Sequence, residues 1–406
     1  MEPFPLASVS RGMALRALAG EFPSPLGIFG GNSCLVEKCR PLATECTGHP
    51  SHVNLPRESG VTAAHLIMGV TVIIPAYNEA ESVGDTIQSL LAQTVPPDQI
   101  ILVDDGSTDG TGDVGRRAGI TVIRPPRNTG SKAGAQTFAL PWVRTRLVMA
   151  IDADTTLEPT AVERLMQSFA QRGVGAACGF VLPRRIESLW ERGRFIEYLF
   201  AFTFYKQVQD YYQRPMISSG CFSMYRTELM RRHGGWPGRT LAEDMDLTWT
   251  FHQAGVGVRF VPEAVCYPIE PYNFRFMRRQ LHRWSHGFIQ NVTLHWKGVL
   301  TVPFLRSAVA VALWDAIVAS LAFLIVLPLL IVALKSPWLL LAYFIDAPAI
   351  LVPLLMGAIP RREFGRVLAS LPSFFVLRLV NGFYFLEAVW SEWFLRRPFH
   401  VYKKGH

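Results

Sequence analysis

The pattern of hydrophobic and polar positions divides the chain into three parts. Residues 1–67 show no sustained period and are rich in Pro, Gly, Ser and Arg, so we expect a disordered or loosely packed segment. In residues 68–300, short apolar runs alternate with stretches of helical spacing, which predicts a catalytic or binding domain of strands and helices. Residues 301–406 contain long apolar runs and a basic tail, which predict a transmembrane region. Because Met68 directly precedes the first convincing strand, an alternative is that the native chain begins near this residue.

Short strands and helices alternate in the middle part. Four apolar runs have the composition of buried strands, and they cover residues 70–75, 99–104, 121–124 and 146–151. The stretches between them predict helices over residues 79–93, 110–118 and 128–140. This alternation predicts an α/β domain with a mostly parallel, doubly wound sheet. In such a sheet the ligand lies beyond the carboxyl ends of the strands, near a switch in strand order.

Polar side chains follow three of the predicted strands. They are Tyr77, Asn78 and Glu79 after the first, Asp104 and Asp105 at the second, and Asp152 and Asp154 after the fourth. Because side chains alternate along an extended backbone, Asp152 and Asp154 point the same way if the strand continues through Ala153. Two carboxylates at the end of a buried strand suit Mg²⁺ or Mn²⁺ carrying a diphosphate.

The amino-acid composition also predicts that part of the chain lies in a membrane. Half of the residues are hydrophobic (50%) and the mean hydropathy is +0.21, which is high for a purely soluble protein. The net charge of +8 comes from basic residues that flank apolar runs and candidate phosphate sites, so the expected partners are membrane lipids and phosphate-bearing substrates, not nucleic acid. The six cysteines do not form a disulfide framework, which favours a reducing, cytoplasmic face.

Two apolar runs near the carboxyl terminus, residues 305–334 and 338–359, are long enough to span a bilayer. They contain Asp315 and Asp346, and intramembrane acids are functional candidates by default. A third segment, residues 367–394, holds three charged side chains and one amide, so it either spans the membrane or forms a re-entrant segment or tight hairpin; these are Arg378, Asn381, Glu387 and Glu392. Basic residues before the third segment and in the tail predict a multi-pass protein of the plasma (inner) membrane with a cytoplasmic catalytic domain.

An unusually aromatic segment, residues 189–212, has basic residues at its start. Such a segment lies either in the membrane interface or in the core against the catalytic domain. Residues 275–295 have the same character.

Three motifs in the middle part carry a resemblance to a known family. They are Val72-Ile-Ile-Pro-Ala-Tyr-Asn-Glu79, Val103-Asp-Asp-Gly-Ser-Thr-Asp109 and Asp152-Ala-Asp154. In this order they resemble the family 2 glycosyltransferases over about residues 70–299, which implies a GT-A-like nucleotide-binding fold. The resemblance implies that Asp104 or Asp105 hydrogen-bonds the nucleotide base and that Asp152 and Asp154 hold the metal and the diphosphate. It also implies a substrate-binding role for three further residues, which are Pro75, Tyr77 and Glu79.

Lys132 matches a family position near the nucleotide. An ammonium that follows a Gly-containing turn can bind phosphate oxygens. The alternative is that Lys132 is a solvated lysine at the start of a helix.

A second group of motifs follows in residues 219–284. Leu241-Ala-Glu-Asp-Met-Asp-Leu247 resembles the Glu-Asp motif of the family, which implies that Asp244 takes the proton of the acceptor hydroxyl. Glu243 and Asp246 are nearby alternatives for this base.

The stretch Gln280-Leu-His-Arg-Trp284 resembles the Gln-x-x-Arg-Trp signature of the processive, membrane-bound branch, such as hyaluronan, chitin, cellulose and poly-N-acetylglucosamine synthases. The spacing places Gln280, Arg283 and Trp284 on one helical face, where Arg283 can bind diphosphate and Trp284 can stack under a sugar. The signature commonly has Arg where this chain has Leu281. Ser219-Gly-Cys-Phe-Ser-Met-Tyr-Arg226 likewise resembles the loop that closes over the donor, which implies roles for Gly220 and Arg226.

The resemblance implies an inverting, metal-dependent glycosyltransferase that moves a sugar from a nucleotide-sugar, with a UDP-sugar as the expected donor, to a saccharide acceptor. Processive polysaccharide synthesis is the leading form of this activity, and an export partner is left open. The alternatives are transfer of a single sugar to a lipid carrier or glycolipid, and a catalytically inactive membrane scaffold.

Overall fold

The computed structural model describes residues 69–397 and Phe399. The predictions for residues 1–67 and for the basic tail beyond Phe399 lie outside the described residues. The division of the chain into domains at residues 67 and 300 stays a prediction.

The centre of the molecule is one eight-stranded sheet with the strand order β3-β2-β1-β4-β7-β6-β8-β5. The strands are β1 (Val70–Ala76), β2 (Gln99–Asp104), β3 (Thr121–Ile123), β4 (Leu147–Ile151), β5 (Thr155–Leu157), β6 (Val174–Val181), β7 (Phe222–Arg226) and β8 (Gly257–Pro268). The four predicted strands β1 to β4 are present and mutually parallel. The order reverses between β1 and β4, so the expected ligand site lies at the carboxyl ends of these two strands.

The other half of the sheet departs from the predicted parallel pattern. Strand β7 pairs antiparallel with both β4 and β6, and β5 pairs antiparallel with β8. The sheet is therefore mixed, and the α/β class predicted from the sequence is confirmed.

Nine helices precede the membrane region of the described chain. They are α1 (Val83–Leu91), α2 (Thr111–Arg117), α3 (Lys132–Ala139), α4 (Ala161–Ser168), α5 (Leu189–Phe200), α6 (Lys206–Tyr211), α7 (Thr227–Arg232), α8 (Glu243–Gln253) and α9 (Phe274–Thr301). A π-helical turn, Ala201–Tyr205, joins α5 to α6.

The sheet is buried on both faces. Along β1, Val72 and Ile74 pack into the core on one side, and Ile73 between them packs into the core on the other side. This double burial explains why the parallel strands read as unbroken apolar runs rather than as an alternating pattern. Three cysteines within the described residues, Cys178, Cys221 and Cys266, are free thiols.

Three helical segments are long and apolar enough to cross a membrane, by length and composition. We call them the first span (Pro303–Leu334), the second span (Pro337–Ala358) and the third span (Phe364–Phe394). The first contains α10 (Pro303–Leu313) and α11 (Leu327–Leu334), the second contains α12 (Ala347–Ala358), and the third contains α13 (Phe364–Val389).

The third span is one continuous helix of 31 residues, so the alternative of a tight hairpin is wrong. Its polar side chains have partners: Arg378 forms an ion pair with Asp346 of the second span at 2.6 Å, and Asn381 donates to Glu197 of α5 at 3.3 Å. Pairing of this kind lowers the cost of placing polar groups within an apolar segment.

The aromatic segment that the sequence left open contributes to the core. Phe195 and Leu199 of α5 are buried within the main hydrophobic cluster. The same helix packs along the third span so closely that a Cβ on Gly193 would lie 2.9 Å from the carbonyl oxygen of Ser373. The segment therefore joins the sheet to the membrane helices.

Candidate active site

One large pocket of about 1040 Å³ lies at the carboxyl ends of β1 and β4. It is also bordered by α8, α9 and the loop before β7. Most of the residues singled out in the sequence line it, although they come from positions more than 200 residues apart; they are Pro75, Tyr77, Asp105, Lys132, Asp152, Asp154, Gly220, Glu243, Asp244, Gln280, Arg283 and Trp284.

Asp152 and Asp154 reach the pocket through a turn. Strand β4 ends at Ile151, and the backbone N–H of Thr155 donates to the carbonyl oxygen of Asp152 at 3.2 Å. The strand does not continue through Ala153, so the alternation argument for the two carboxylates does not apply, because this turn redirects the chain into β5. The pocket nevertheless receives both carboxylates, with Asp154 only 7% exposed.

Lys132 connects the two halves of the pocket. Its ammonium forms an ion pair with Asp152 and donates to the carbonyl oxygen of Gly220 at 2.8 Å. The N–H of Gly220 in turn donates to Oδ2 of Asp244 at 2.8 Å. A Cβ on Gly220 would lie 2.9 Å from that oxygen and 3.2 Å from the ammonium, so only glycine allows this close approach. Because the Lys132 side chain is only 11% exposed, the alternative of a solvated lysine is wrong.

The first turn of α8 presents Glu243 and Asp244 to the pocket. A helix start suits negative charge because its N–H groups and dipole face the carboxylates. Burial, and next the neighbouring Asp244, raise the pKa of Glu243, while Lys132 and Arg283 oppose this shift. Asp246, the other acid of the motif, is fully buried and accepts from Arg239 at 2.6 Å and contacts His295 at 2.8 Å.

The signature residues Gln280, Arg283 and Trp284 project into the pocket from α9. Arg194 of α5 holds this helix from behind, because its guanidinium donates to Oε1 of Gln280 at 2.7 Å and lies 4.5 Å from the centre of the Trp284 ring. Arg194 is fully buried and also forms an ion pair with Glu197 at 2.5 Å.

Glu270 completes this buried network. Tyr198 donates its hydroxyl hydrogen to Oε1 of Glu270 at 2.9 Å, and Nε of Arg194 lies 3.5 Å from Oε2. Burial raises the pKa of Glu270 to about 7, against the opposing effect of Arg194. A carboxyl group that changes charge near neutral pH thus lies on the pocket wall beside the signature helix.

Asp105, of the two candidates for contact with the base, is the one that lines the pocket. Both of its carboxylate oxygens accept hydrogen bonds at 2.8 Å from the N–H and hydroxyl of Thr129. Burial raises the pKa of Asp105. Asp104 points elsewhere, accepting from Arg124 at 3.1 Å and from the N–H of Ser107 at 2.9 Å.

Two further residues do not line the pocket. Glu79 is 3% exposed and accepts from the hydroxyl of Ser82 at 2.6 Å, so it stabilises the turn after β1. Arg226 pairs with Leu147, at the opposite end of β4 from the pocket, and donates to the carbonyl oxygens of Val174 and Phe169 at 2.7 and 2.8 Å. The antiparallel direction of β7 is the physical reason, because it carries Arg226 away from the loop that begins at Ser219.

Several residues that line the pocket or lie behind its wall were not singled out as site residues by sequence reasoning. Arg194 and Glu270 belong to no motif, although Glu270 follows β8 closely and the rule of polar residues at strand ends finds it once that strand is known. Lys206 is buried and donates to the hydroxyl of Ser219 at 2.7 Å, which supports the loop that carries Gly220. Asp315 of the first span also lines the pocket, whereas Asp346 is engaged with Arg378.

The donor set at the β4 turn fits a hard divalent cation. Asp152 and Asp154 offer carboxylate oxygens, which Mg²⁺ and Mn²⁺ prefer, and an ammonium already pairs with Asp152.

Comparison with known sequences agrees with this geometry. Residues 71–234 match the family described as "Glycosyl transferase family 2". The poly-beta-1,6-N-acetyl-D-glucosamine synthase of Staphylococcus epidermidis is 26% identical over 226 residues, which are 54% of this chain and 55% of the relative. The synthase of the same name from Staphylococcus aureus is 26% identical over 224 residues, with 54% of each chain covered. This chain thus aligns with about half the length of these curated relatives.

Among solved structures, the fold resembles the mannosyltransferase PcManGT from Pyrobaculum calidifontis, determined in complex with GDP-Man and Mn²⁺. The TM-score is 0.53 and the sequence identity 20%, over 81% of this chain and 88% of that chain. At this identity the likeness concerns the fold, and it supports the GT-A-like arrangement of the sheet. From the matching sequence family, this fold and the acidic pocket at its switch point, we conclude that residues 71–234 match the family 2 glycosyltransferases and lie on a GT-A-like sheet.

Proposed function

We propose that this protein is a membrane-bound, inverting glycosyltransferase that moves a hexose or N-acetylhexosamine from a nucleotide-sugar, preferentially a UDP-sugar, to a saccharide acceptor. The observation that carries the proposal is the chain of contacts from Asp152 through Lys132 and Gly220 to Asp244. The ammonium of Lys132, which we propose binds phosphate, and the candidate base Asp244 thus both contact the backbone of one glycine.

The residues divide the chemistry between them. Asp244 takes the proton of the acceptor hydroxyl, whose oxygen forms a bond to the anomeric carbon of the donor sugar. The bond between that carbon and the diphosphate breaks, and Lys132 and Arg283 bind the departing diphosphate oxygens. Asp152 and Asp154 would hold Mg²⁺ or Mn²⁺, which neutralises the diphosphate when bound. Trp284 offers an aromatic face for the acceptor sugar, and attack opposite the leaving group inverts the anomeric configuration.

The acceptor side of the pocket favours an association with the membrane. Ala312, Asp315 and Ala316 of the first span and Phe385 of the third span line the same pocket as Asp244. A growing polysaccharide that starts at Asp244 would therefore pass directly between catalytic domain and membrane helices. We assign the protein to the plasma (inner) membrane with its catalytic domain on the cytoplasmic side, in accord with its free cysteines.

The same observation favours a second candidate function, transfer of one sugar to a lipid-linked acceptor. The apolar lining contributed by Ala312, Ala316 and Phe385 suits a lipid chain as well as it suits an exit path. The two functions share the donor, the metal and the base, and they differ in the product.

The test measures nucleotide release by the full-length protein in detergent, with Mn²⁺ or Mg²⁺ and a panel of UDP-sugars beside GDP-mannose. We expect one donor to give release, and Asp244→Asn to lower the rate by about 10²–10⁴-fold because the base is lost. The matched control is Asp113→Asn on exposed α2, which removes a carboxylate far from the pocket and leaves the rate unchanged.

The product separates the two candidate functions. A high-molecular-weight saccharide supports processive synthesis, whereas a small, solvent-extractable product supports transfer to a lipid. Nucleotide release by Asp244→Asn at the rate of the unsubstituted protein would refute the assignment of the base.

A further inference from the structure

A second group of metal-ligating side chains lies outside the candidate active site, where α9 meets the end of the third span. His282 and His286 are one helical turn apart on α9, and Glu387 faces them from α13. Their ligand atoms all lie within 4.8 Å of one another. Nε2 of His286 is 3.2 Å and Nε2 of His282 is 3.4 Å from the same carboxylate oxygen, Oε2 of Glu387.

The contacts of His286 with two carboxylates call for a positive charge between its ring and Glu387. Nδ1 of this ring lies 2.7 Å from Oε1 of Glu392, and because an ionised carboxylate only accepts, Nδ1 is the donor in that contact. In the neutral ring Nε2 is then an acceptor, yet it faces the second carboxylate, Glu387. Two acceptors at this distance repel each other unless a cation lies between them.

The surroundings of the cluster are built to hold a charged centre. His286 is 1% exposed and Glu392 is 8% exposed, and Glu392 also accepts from Gln290 at 2.8 Å. The ring of Phe399 packs against both histidines, with centroid distances of 4.5 and 5.4 Å. An apolar cover of this kind excludes water and strengthens binding of an ion by the groups beneath it.

The geometry points to a transition-metal site, with Zn²⁺ as the expected ion, formed by Nε2 of His282, Nε2 of His286 and a carboxylate oxygen of Glu387. In a tetrahedral zinc site, ligand atoms lie about 3.3–3.4 Å apart, since zinc–ligand distances are about 2.0–2.1 Å. The two distances to Glu387, 3.2 and 3.4 Å, fit this spacing. Glu392 acts as the outer carboxylate that orients His286, the arrangement common around zinc-bound histidines.

The charges also balance. Two carboxylates and two neutral imidazoles around a divalent cation give a neutral cluster, which suits a position at the end of an apolar span. The metal would fasten the helix that carries Gln280 and Trp284 to the third span. This role does not depend on the identity of the donor or acceptor, and the site is separate from the carboxylates at the β4 turn.

The experiment is zinc binding by the full-length protein in detergent, purified with a tag that contains no histidine and first stripped with a chelating resin. Zinc is added in small excess, unbound metal is removed, and the bound metal is counted by mass spectrometry. We expect about one zinc ion per chain that is lost in His282→Gln and in Glu387→Gln, and binding weakened by about 10–100-fold in Glu392→Gln. Bound Co²⁺ should show the intense visible absorption of a tetrahedral site.

Two controls separate this site from others. Asp154→Asn removes a ligand of the candidate diphosphate metal and should keep the zinc, and His233→Gln removes an exposed histidine and should also keep it. Added zinc should raise the Tm of the unsubstituted protein but not that of Glu387→Gln, which distinguishes loss of the ligand from failure to fold.

Two results would overturn the proposal. Zinc retained equally by the unsubstituted protein, His282→Gln and Glu387→Gln would place the metal elsewhere in the chain. Absence of zinc and of the cobalt spectrum from the folded, unsubstituted protein would mean that a proton on His286 supplies the charge.

Discussion

Glu270→Gln removes one titratable group from the pocket wall and changes little else in shape. Oε1 of the glutamine can still accept from the Tyr198 hydroxyl, which lies 2.9 Å from that position in the native protein. What disappears is a carboxyl whose pKa burial raises to about 7 in the folded protein, from 4.5 in the unfolded chain. The substitution therefore isolates the effect of this one ionisation on stability.

The sign follows from proton binding. Between these two pKa values the folded protein holds the proton of Glu270 and the unfolded chain has lost it, so the free energy of unfolding falls as the pH rises. At about 1.36 kcal/mol per pH unit, the full loss is about 3 kcal/mol. Most of it, about 2.5 kcal/mol, falls between about pH 5 and about pH 8. Glu270 is 4% exposed, so solvent screening reduces this figure little.

The assay is the Tm of the detergent-solubilised protein across this pH range, beside that of Glu270→Gln. With an unfolding entropy of about 2.1 cal/mol/K per residue, a protein of 406 residues loses roughly 1 °C of Tm per kcal/mol, so the Tm of the native protein should fall by about 3 °C more than that of the variant. If the amide beside Arg194 lowers the stability of the variant by a constant amount, its whole curve of Tm against pH shifts without a change in slope. Parallel curves for the two proteins would refute the reasoning, because they would show that Glu270 does not change its charge in this range.

Three further predictions concern the candidate diphosphate site and the apolar spans. Lys132→Gln should weaken nucleotide binding about tenfold or more in calorimetry, because hydrogen bonds to charged groups contribute about 1.5–3 kcal/mol; an unchanged Kd would remove Lys132 from the site. Gly193→Leu should lower stability by about 1–3 kcal/mol through its clash with the third span, whereas Gly365→Ala, where the added methyl meets open space within a helix, should not lower the Tm. Arg378→Met and Asp346→Asn should each lower the Tm more than the two together, since a single change leaves a charge without its partner; additive effects would count against the pair.

The parallel half of the sheet could be predicted because its strands are buried on both faces. The run that became β2 was predicted with the bounds that the structure shows, Gln99–Asp104. The mixed half of the sheet, from β7 to β5, gave no comparable signal. Strand β6 contains Gly179, where a Cβ would lie 2.3 Å from the carbonyl oxygen of Ala264 on β8, so its composition reflects a close approach between strands and not a local preference.

The candidate site likewise has one part that the sequence predicts and another that it does not. The acids at strand ends and the residues of the signature helix could be found from short motifs, because each motif is a local arrangement. The network behind them joins Arg194 to Gln280, 86 residues later, and to Glu270, and its members are recognisable only once folding has buried them together. The position of Arg226 outside the pocket could not be predicted either, because it depends on the antiparallel direction of β7 in the sheet.

Helix α9 shows how one element serves both the pocket and the membrane. Its pocket-lining residues recur at helical spacing and form one face; they are Phe276, Arg279, Gln280, Arg283, Trp284 and Phe288. Leu281 lies on another face and packs with Leu377 and Tyr384 of the third span. The position that commonly carries Arg in the signature therefore points into an apolar contact in this protein, where a charge would be costly. Arg279, two residues earlier, brings a guanidinium to the pocket face instead, so the departure from the signature moves a positive charge along the helix without removing it from the site.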